Sequence, residues 1–323
     1  MNQKKFVLGA ILAVALIASF FAQPKKVLRL GALKGPSGIA LIHLFEAPPQ
    51  LPGGLAFEAE AVGSADVMAA KIISGEYDLA VLPVNMAAKL RSAGIPILLA
   101  AVVGNGMVSF LTTDDNLDSI AELKGAEIFV AGQGATPDYL FRKVLISSGL
   151  DPSKDLRLSY ALPYPETATA LAAGKIRYAV LPEPFSTLAL LANPSIKRPF
   201  DLSALWKTAT GYDGYPMTII AVSERATTEQ LDAVKVVLAA VRASITAVKA
   251  EPSAAGVLVE KHNMGLKAAI AMKSIPKSEY VFIESAAARP AIEALLSVFM
   301  EMSPQSVGGK LPDDKFYARF GPF

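Results

Sequence analysis

An internal repeat constrains the fold of this chain more than any other feature. Gly75 and the run Ala80-Val81-Leu82-Pro83 recur 99 residues later as Gly174 and Ala179-Val180-Leu181-Pro182, and Gly35 and Ser37 recur at the same offset as Gly134 and Thr136. Two units of like design follow. Within each, short β-rich runs alternate with helical patterns, which predicts α/β architecture with mainly parallel strands covered by helices. Strands are expected at 27–32, 56–62, 79–82 and 127–131, with further buried strands at 95–103 and 217–222. Helices are expected at 39–45, capped by Ser37, at 65–74, opened by Ser64, and at 138–148, with Pro137 at the tolerated first position. The spacing of Leu231, Val234, Val237, Leu238 and Val241 predicts a helix, and the sequence beyond it reads as mostly helical.

The chain has 323 residues, 52% of them hydrophobic, which suits two cores better than one. Its formal charge is only +2, without a basic block, so nucleic-acid binding is not expected. It has no cysteine, which excludes disulfides, thiolate-bound metal and a thiol nucleophile. The two histidines, His43 and His262, have no partners at a motif-like spacing. At the N-terminus, Lys4 and Lys5 precede an apolar run from Phe6 to Phe21 that is too short to span a bilayer. Residues 1–22 therefore read as a signal peptide, cleaved after Ala22 or, because Phe20 is bulky there, retained as an anchor.

Open α/β sheets bind ligands beyond the carboxyl ends of their strands, so two facing units make a cleft. Helix N-termini pointing into it favour anionic or hydrogen-bond-accepting groups, and Ser37, Ser64 and Thr136 would add hydroxyls. Neither nucleotide signature is complete. The segment Gly31 to Gly38 lacks the Gly-Lys-Ser/Thr of a P-loop, and Gly132-Gln133-Gly134 runs on to Pro137 where a dinucleotide fingerprint wants glycine.

The segments Leu123-Lys124-Gly125, Gly132-Gln133-Gly134-Ala135-Thr136-Pro137, Gly149-Leu150-Asp151-Pro152, Leu171-Ala172-Ala173-Gly174-Lys175 and Ala179-Val180-Leu181-Pro182-Glu183-Pro184-Phe185 carry a resemblance over nearly all of the chain after the leader. It resembles the extracytoplasmic solute-binding proteins of ABC importers, in the type II group that includes nitrate, taurine, alkanesulfonate and thiamine-pyrimidine binders. The opening Gly31 to Gly38 and the closing Val307 to Asp314 look like a subgroup whose solute they do not name.

This resemblance implies two Rossmann-like α/β lobes joined by a two-segment hinge, the periplasmic-binding-protein type II fold. Residues 24–110 and 219–323 would form the first lobe and 111–218 the second, with Val108 to Thr112 and Met217 to Val222 as crossovers. It further implies a monomeric, exported, periplasmic or extracytoplasmic protein, not an enzyme and without cofactor or metal. Such a protein captures a small solute by hinge closure and delivers it to a membrane permease with its ATPase. Two other readings use the same fold. A thiamine-pyrimidine synthase-like enzyme is opposed by the missing cysteines and the export signal; a ligand sensor docking on a membrane receptor is not separable by sequence.

The implied cleft is lined by Lys34, Ser37, Ser64 and Asn85 from the first lobe and by Gln133, Thr136, Tyr139, Tyr164, Glu183 and Phe185 from the second, with Tyr212 and Tyr215 near the return crossover. Each has a plainer alternative. Ser37, Ser64, Asn85 and Thr136 can serve as helix caps, the aromatics as core, and Lys34 and Glu183 as solvated charges. Helix ends and Lys34 point to an oxyanion such as a sulfonate or nitrate. The aromatic and acidic group points to a planar nitrogen-containing molecule, which the lack of arginine in both Gly-rich turns favours slightly.

Overall fold

A computed structural model describes residues 27–321; the expected signal peptide lies outside the described residues. Among the described residues, ten strands form two sheets. The first unit supplies β1 (Val27–Leu33), β2 (Ala56–Val62), β3 (Leu79–Pro83) and β4 (Ile97–Asn105). The second supplies β5 (Val108–Thr112), β6 (Glu127–Val130), β7 (Arg157–Ser159) and β8 (Tyr178–Pro182), after which the chain returns for β9 (Pro216–Ser223) and β10 (Glu279–Glu284). The six-stranded sheet has the order β10-β4-β9-β3-β1-β2 and the four-stranded sheet the order β5-β8-β6-β7. The repeated runs are β3 and β8, central and buried in their sheets. That placement explains their continuous apolar sequence, since a strand covered on both faces loses the usual alternation.

Helices cover each sheet on both sides. The helix Leu231–Ala250 lays Val234, Val237, Leu238 and Val241 on one face of the six-stranded sheet, as its spacing predicts. The helix Ser285–Met302 packs on the other face, in a cluster that continues through Phe299 and Tyr139 to Phe110 and Val180 of the four-stranded sheet. The C-terminal part departs from the mostly helical expectation at β10. Its Tyr280, Phe282 and neighbours alternate too briefly to be distinguished from helix by period alone.

The two expected crossovers are strands that each belong to one sheet: Val108–Thr112 is β5 of the smaller sheet, and 217–222 lies within β9 of the larger. The chain passes between the sheets just outside them, at Gly106–Met107 and at 211–215. Both passages are extended by only a few residues, so they run side by side. Tyr215, fully buried, accepts a hydrogen bond from the Val108 amide (3.1 Å) and reaches the Val108 carbonyl at 3.4 Å. The Gly106 amide donates to the Tyr215 carbonyl at 3.3 Å. Asn105 donates to Glu279 of β10 at 3.0 Å and fills the space beside Gly214.

Register aligns the strand ends. Pro83 pairs with Thr218 and Thr218 with Gly104, so the carboxyl ends of β3 and β4 lie together where the chain leaves the first sheet. It enters the second sheet at Val108, whose partner is Pro182, the carboxyl end of β8. The ends of β1 and β3 therefore face those of β6 and β8 across the crossovers. Gly214 has φ of +72° and a Cβ there would stand 2.3 Å from Asn105 Nδ2. Gly214→Ala is expected to destabilise the protein by about 1–3 kcal/mol, read as a lower urea midpoint with unchanged slope.

Candidate functional site

The loops beyond these facing ends form the candidate site. After β1, Gly35 adopts φ of +90° and opens the five-residue helix Pro36–Ala40, which Leu41 separates from Ile42–Glu46. Gly35, not Ser37, holds the cap position; Ser37 is buried within the helix and makes no capping bond. The Gly35 amide donates to the Met264 carbonyl at 3.0 Å, so a loop from the distant C-terminal region consumes it. Lys34 is exposed, and its backbone amide ties this turn to Val62 at the end of β2. Ser64 is a true cap, accepting from the Val67 amide at 3.3 Å. Asn85 is partly exposed and follows the cap position, which Pro83 occupies, so it does not cap the helix Val84–Ser92.

The Gly-rich turn of the second sheet is also internally filled. Thr136 is the buried first residue of the helix Thr136–Ser147, with Ala135 at the cap. Asp138, one turn in, accepts from the Gly134 amide at 2.9 Å, from Arg142 Nε at 2.6 Å and from the Tyr160 hydroxyl at 2.6 Å. A carboxylate of the chain itself thus stands where helix-terminus geometry would hold a ligand anion. Asp138 and Arg142, absent from the sequence-based set, are spaced four apart as helical ion pairs are, which was the available signal. Gln133 is exposed beside this network. Tyr139 is core: its ring meets Phe299 at 4.5 Å and joins the two layers.

Beyond β7 and β8, Tyr164 and Phe185 stack with centroids 5.3 Å apart and planes 15° apart. Both are half-buried, and burial pushes the Tyr164 hydroxyl up from its ordinary value. Gly132 makes room for Tyr164, whose hydroxyl would lie 2.3 Å from a Cβ at that position. Glu183 is neither solvated nor free for a cationic solute. It is 2% exposed, pairs with Arg198 at 2.5 Å and accepts from the Thr187 amide at 3.1 Å. Its own amide donates to Met107 in the crossover, fastening the β8 loop to the passage between sheets. Tyr215 is likewise structural, whereas Tyr212 is exposed. The candidates that follow the carboxyl ends of strands and stay at least partly accessible are therefore Lys34, Ser64, Asn85, Gln133, Tyr164 and Phe185.

A second concavity of about 780 Å³ runs beside the helix Thr136–Ser147, walled by Tyr139, Arg142, Ile146 and Leu150 and by Met302 and Ser303. Among the described residues, no cluster of His, Asp or Glu is arranged to hold a metal ion, and no helix is long and apolar enough to cross a membrane.

The family model for the NMT1-like family matches residues 12–260. The chain belongs to the NMT1-like family. Its fold is also that of solved structures. An ABC transporter protein from Parabacteroides distasonis is 28% identical, with a TM-score of 0.78 over 91% of this chain and 99% of that one. The periplasmic aliphatic sulphonate binding protein of Escherichia coli is 17% identical, with a TM-score of 0.70 over 89% and 91% of the two chains. The periplasmic nitrate-binding protein of Synechocystis PCC 6803 is 13% identical, with a TM-score of 0.62 over 88% and 85%. No curated protein sequence matches. This NMT1-like chain thus has the type II periplasmic-binding-protein fold expected from its motifs.

Two outcomes follow from the buried groups. Tyr139→Ala is expected to cost about 3 kcal/mol in urea unfolding, because it removes an aromatic side chain from the joint between layers. Burial pushes the Glu183 carboxyl above its ordinary value, against the pull of Thr187 and Arg198. A folded value above the unfolded one means that this group favours the fold below the unfolded value and loses that contribution as pH rises through the folded value. Carboxyl ¹³C NMR titration should place Glu183 above the usual carboxylate range, and Arg198→Ala should move it higher still.

Proposed function

We propose that the protein is the solute-binding component of an ABC importer, capturing a small polar organic solute between two lobes and presenting the closed form to a membrane permease. One observation carries this reading: the carboxyl ends of two separate sheets face each other across paired, short crossovers, so a molecule held there touches both lobes. The P. distasonis relative, named as an ABC transporter protein, supports it. The first lobe is built on β1 to β4, β9 and β10 and the second on β5 to β8, with the hinge at 106–107 and 211–215. The side-by-side passages suit a hinge because a few φ/ψ changes in each, at Gly106, Gly211 and Gly214, rotate one lobe on the other.

The solute is recognised mainly by the Tyr164–Phe185 pair, whose stacked faces suit a flat molecule, with Gln133, Ser64, Asn85 and Lys34 supplying polar contacts. Each Gly-rich turn spends one amide on an internal acceptor, Gly35 on Met264 and Gly134 on Asp138, so side chains orient the bound molecule together with the amides of Ser37, Gly38 and Thr136, which have no acceptor among the described residues. Export through the N-terminal leader places this monomer beside its permease, whose ATPase drives uptake. No chemical step is required of the protein.

A thermal-shift screen of the protein against sulfonates, nitrate, thiamine precursors, amino acids and small aromatics tests the reading. A true solute at 100 times its Kd should stabilise by about 2.7 kcal/mol. Tyr164→Ala and Phe185→Ala should weaken its binding by roughly tenfold or more, while leaving the unliganded melting midpoint within a few degrees. Unaltered affinity in both variants would remove the aromatic pair from the site.

A further inference from the structure

The groove beside the helix Thr136–Ser147 meets the facing strand ends only at its Gln133–Gly134 edge, and the solute-capture reading uses none of its other walls. Its volume of about 780 Å³ is that of a small-molecule pocket. On the wall formed by the helix Thr136–Ser147 the accessible charge is positive. In the Asp138–Arg142 pair the carboxylate side chain is 4% exposed and the guanidinium 25%, so the cation forms the accessible side. Arg142 uses Nε on Asp138 and Nη2 on Tyr160, which leaves Nη1 without a protein acceptor among the described residues. The Gln133 amide and the Ser303 hydroxyl, both lining the groove, also lack protein partners among the described residues.

The other charged groups at and near the groove are ion-paired. Asp151, which also lines the groove and is 40% exposed, accepts from the Ser153 amide and pairs with Lys154, and Lys143 pairs with Glu301 at 3.4 Å. The remaining wall is apolar, and Ile146 is 48% exposed there, an isoleucine left against solvent in an otherwise well-covered helix.

We propose that this groove is a second ligand site, for a small molecule with a carboxylate head and an apolar chain. The planar head meets the free edge of the Arg142 guanidinium, whose orientation Asp138 and Tyr160 hold fixed, and accepts from Gln133 and Ser303. The chain lies along Ile146, Leu150 and Met302. Met302 and Ser303 end a helix that packs on the larger sheet, while the other walls belong to the smaller one. An occupant therefore bridges the two layers, and its affinity is coupled to their relative position.

Isothermal titration calorimetry with octanoate, octylamine and octanol tests this on the intact protein. Octanoate is expected to bind, with octylamine and octanol weaker by roughly tenfold or more. Ile146→Asp, a change at a half-exposed position, should weaken octanoate by a similar factor without moving the melting midpoint, and Arg142→Lys should do so by removing the planar fork. Tyr164→Ala should leave octanoate binding unchanged, which separates this site from the cleft. Absence of octanoate binding, equal affinity for octylamine, or binding that survives Ile146→Asp would each overturn the proposal. Loss of octanoate binding in Tyr164→Ala would place that molecule in the cleft and overturn it as well. Should Arg142→Lys fail to fold, Ile146→Asp decides alone.

Discussion

The buried contact between Tyr215 and the backbone of Val108 is the constraint on which the arrangement of this protein depends. It joins the outgoing and returning passages between two sheets, and it does so with both polar groups of one residue, an amide that donates and a carbonyl within reach. Buried backbone groups must find partners, and Val108, at the start of β5, faces Pro182, which has no N–H to give. The Tyr215 hydroxyl fills that need, and burial pushes its pKa up to about 12, so it stays a neutral donor and acceptor. Asn105 and Glu279 do similar work on the other flank, in space that the glycines at 106 and 214 leave open. With the passages paired in this way, the carboxyl ends of the repeated strands are directed at one another.

Each turn that opens towards this junction is braced from within by one amide. Gly35 gives its amide to Met264 and Gly134 gives its amide to Asp138. Internal acceptors make the turns rigid before any ligand arrives, which lowers the ordering cost of binding. Side chains at the rim, above all the stacked Tyr164 and Phe185, stand beside the amides that these braces leave open. The buried pairs Asp138–Arg142 and Glu183–Arg198 serve the same end. Each places a carboxylate behind the surface and a guanidinium in front of it, so that loop geometry is held by charge-assisted hydrogen bonds with the acid kept from solvent.

Much of the fold was legible in the residues. The 99-residue repeat named the two central strands, the apolar spacing named the helix Leu231–Ala250, and the family motifs named the type II fold. Of the candidate site, Ser64 caps as its position suggests, and Tyr164 and Phe185 do come together. Ser37, Asn85, Thr136, Tyr139, Glu183 and Tyr215 were harder to read because their roles depend on distant partners. Glycine or proline took the cap positions ahead of Ser37 and Asn85. Tyr139 was claimed by Phe299 from a helix about 160 residues away in the chain, an order of separation no local pattern reports.

The sequence by itself determined the alternation of strands and helices, the duplication of that plan and the family, because each is written in short-range periodicity and local motifs. Only the tertiary structure decided where the chain crosses between sheets, which polar groups face the cleft and which are spent inside the protein. Those outcomes rest on pairings such as Gly35 with Met264, Asn105 with Glu279 and Glu183 with Arg198. A buried hydrogen bond or ion pair stabilises only when both partners meet in a dry interior with good geometry, and that meeting is arranged by packing and not by neighbourhood in the chain.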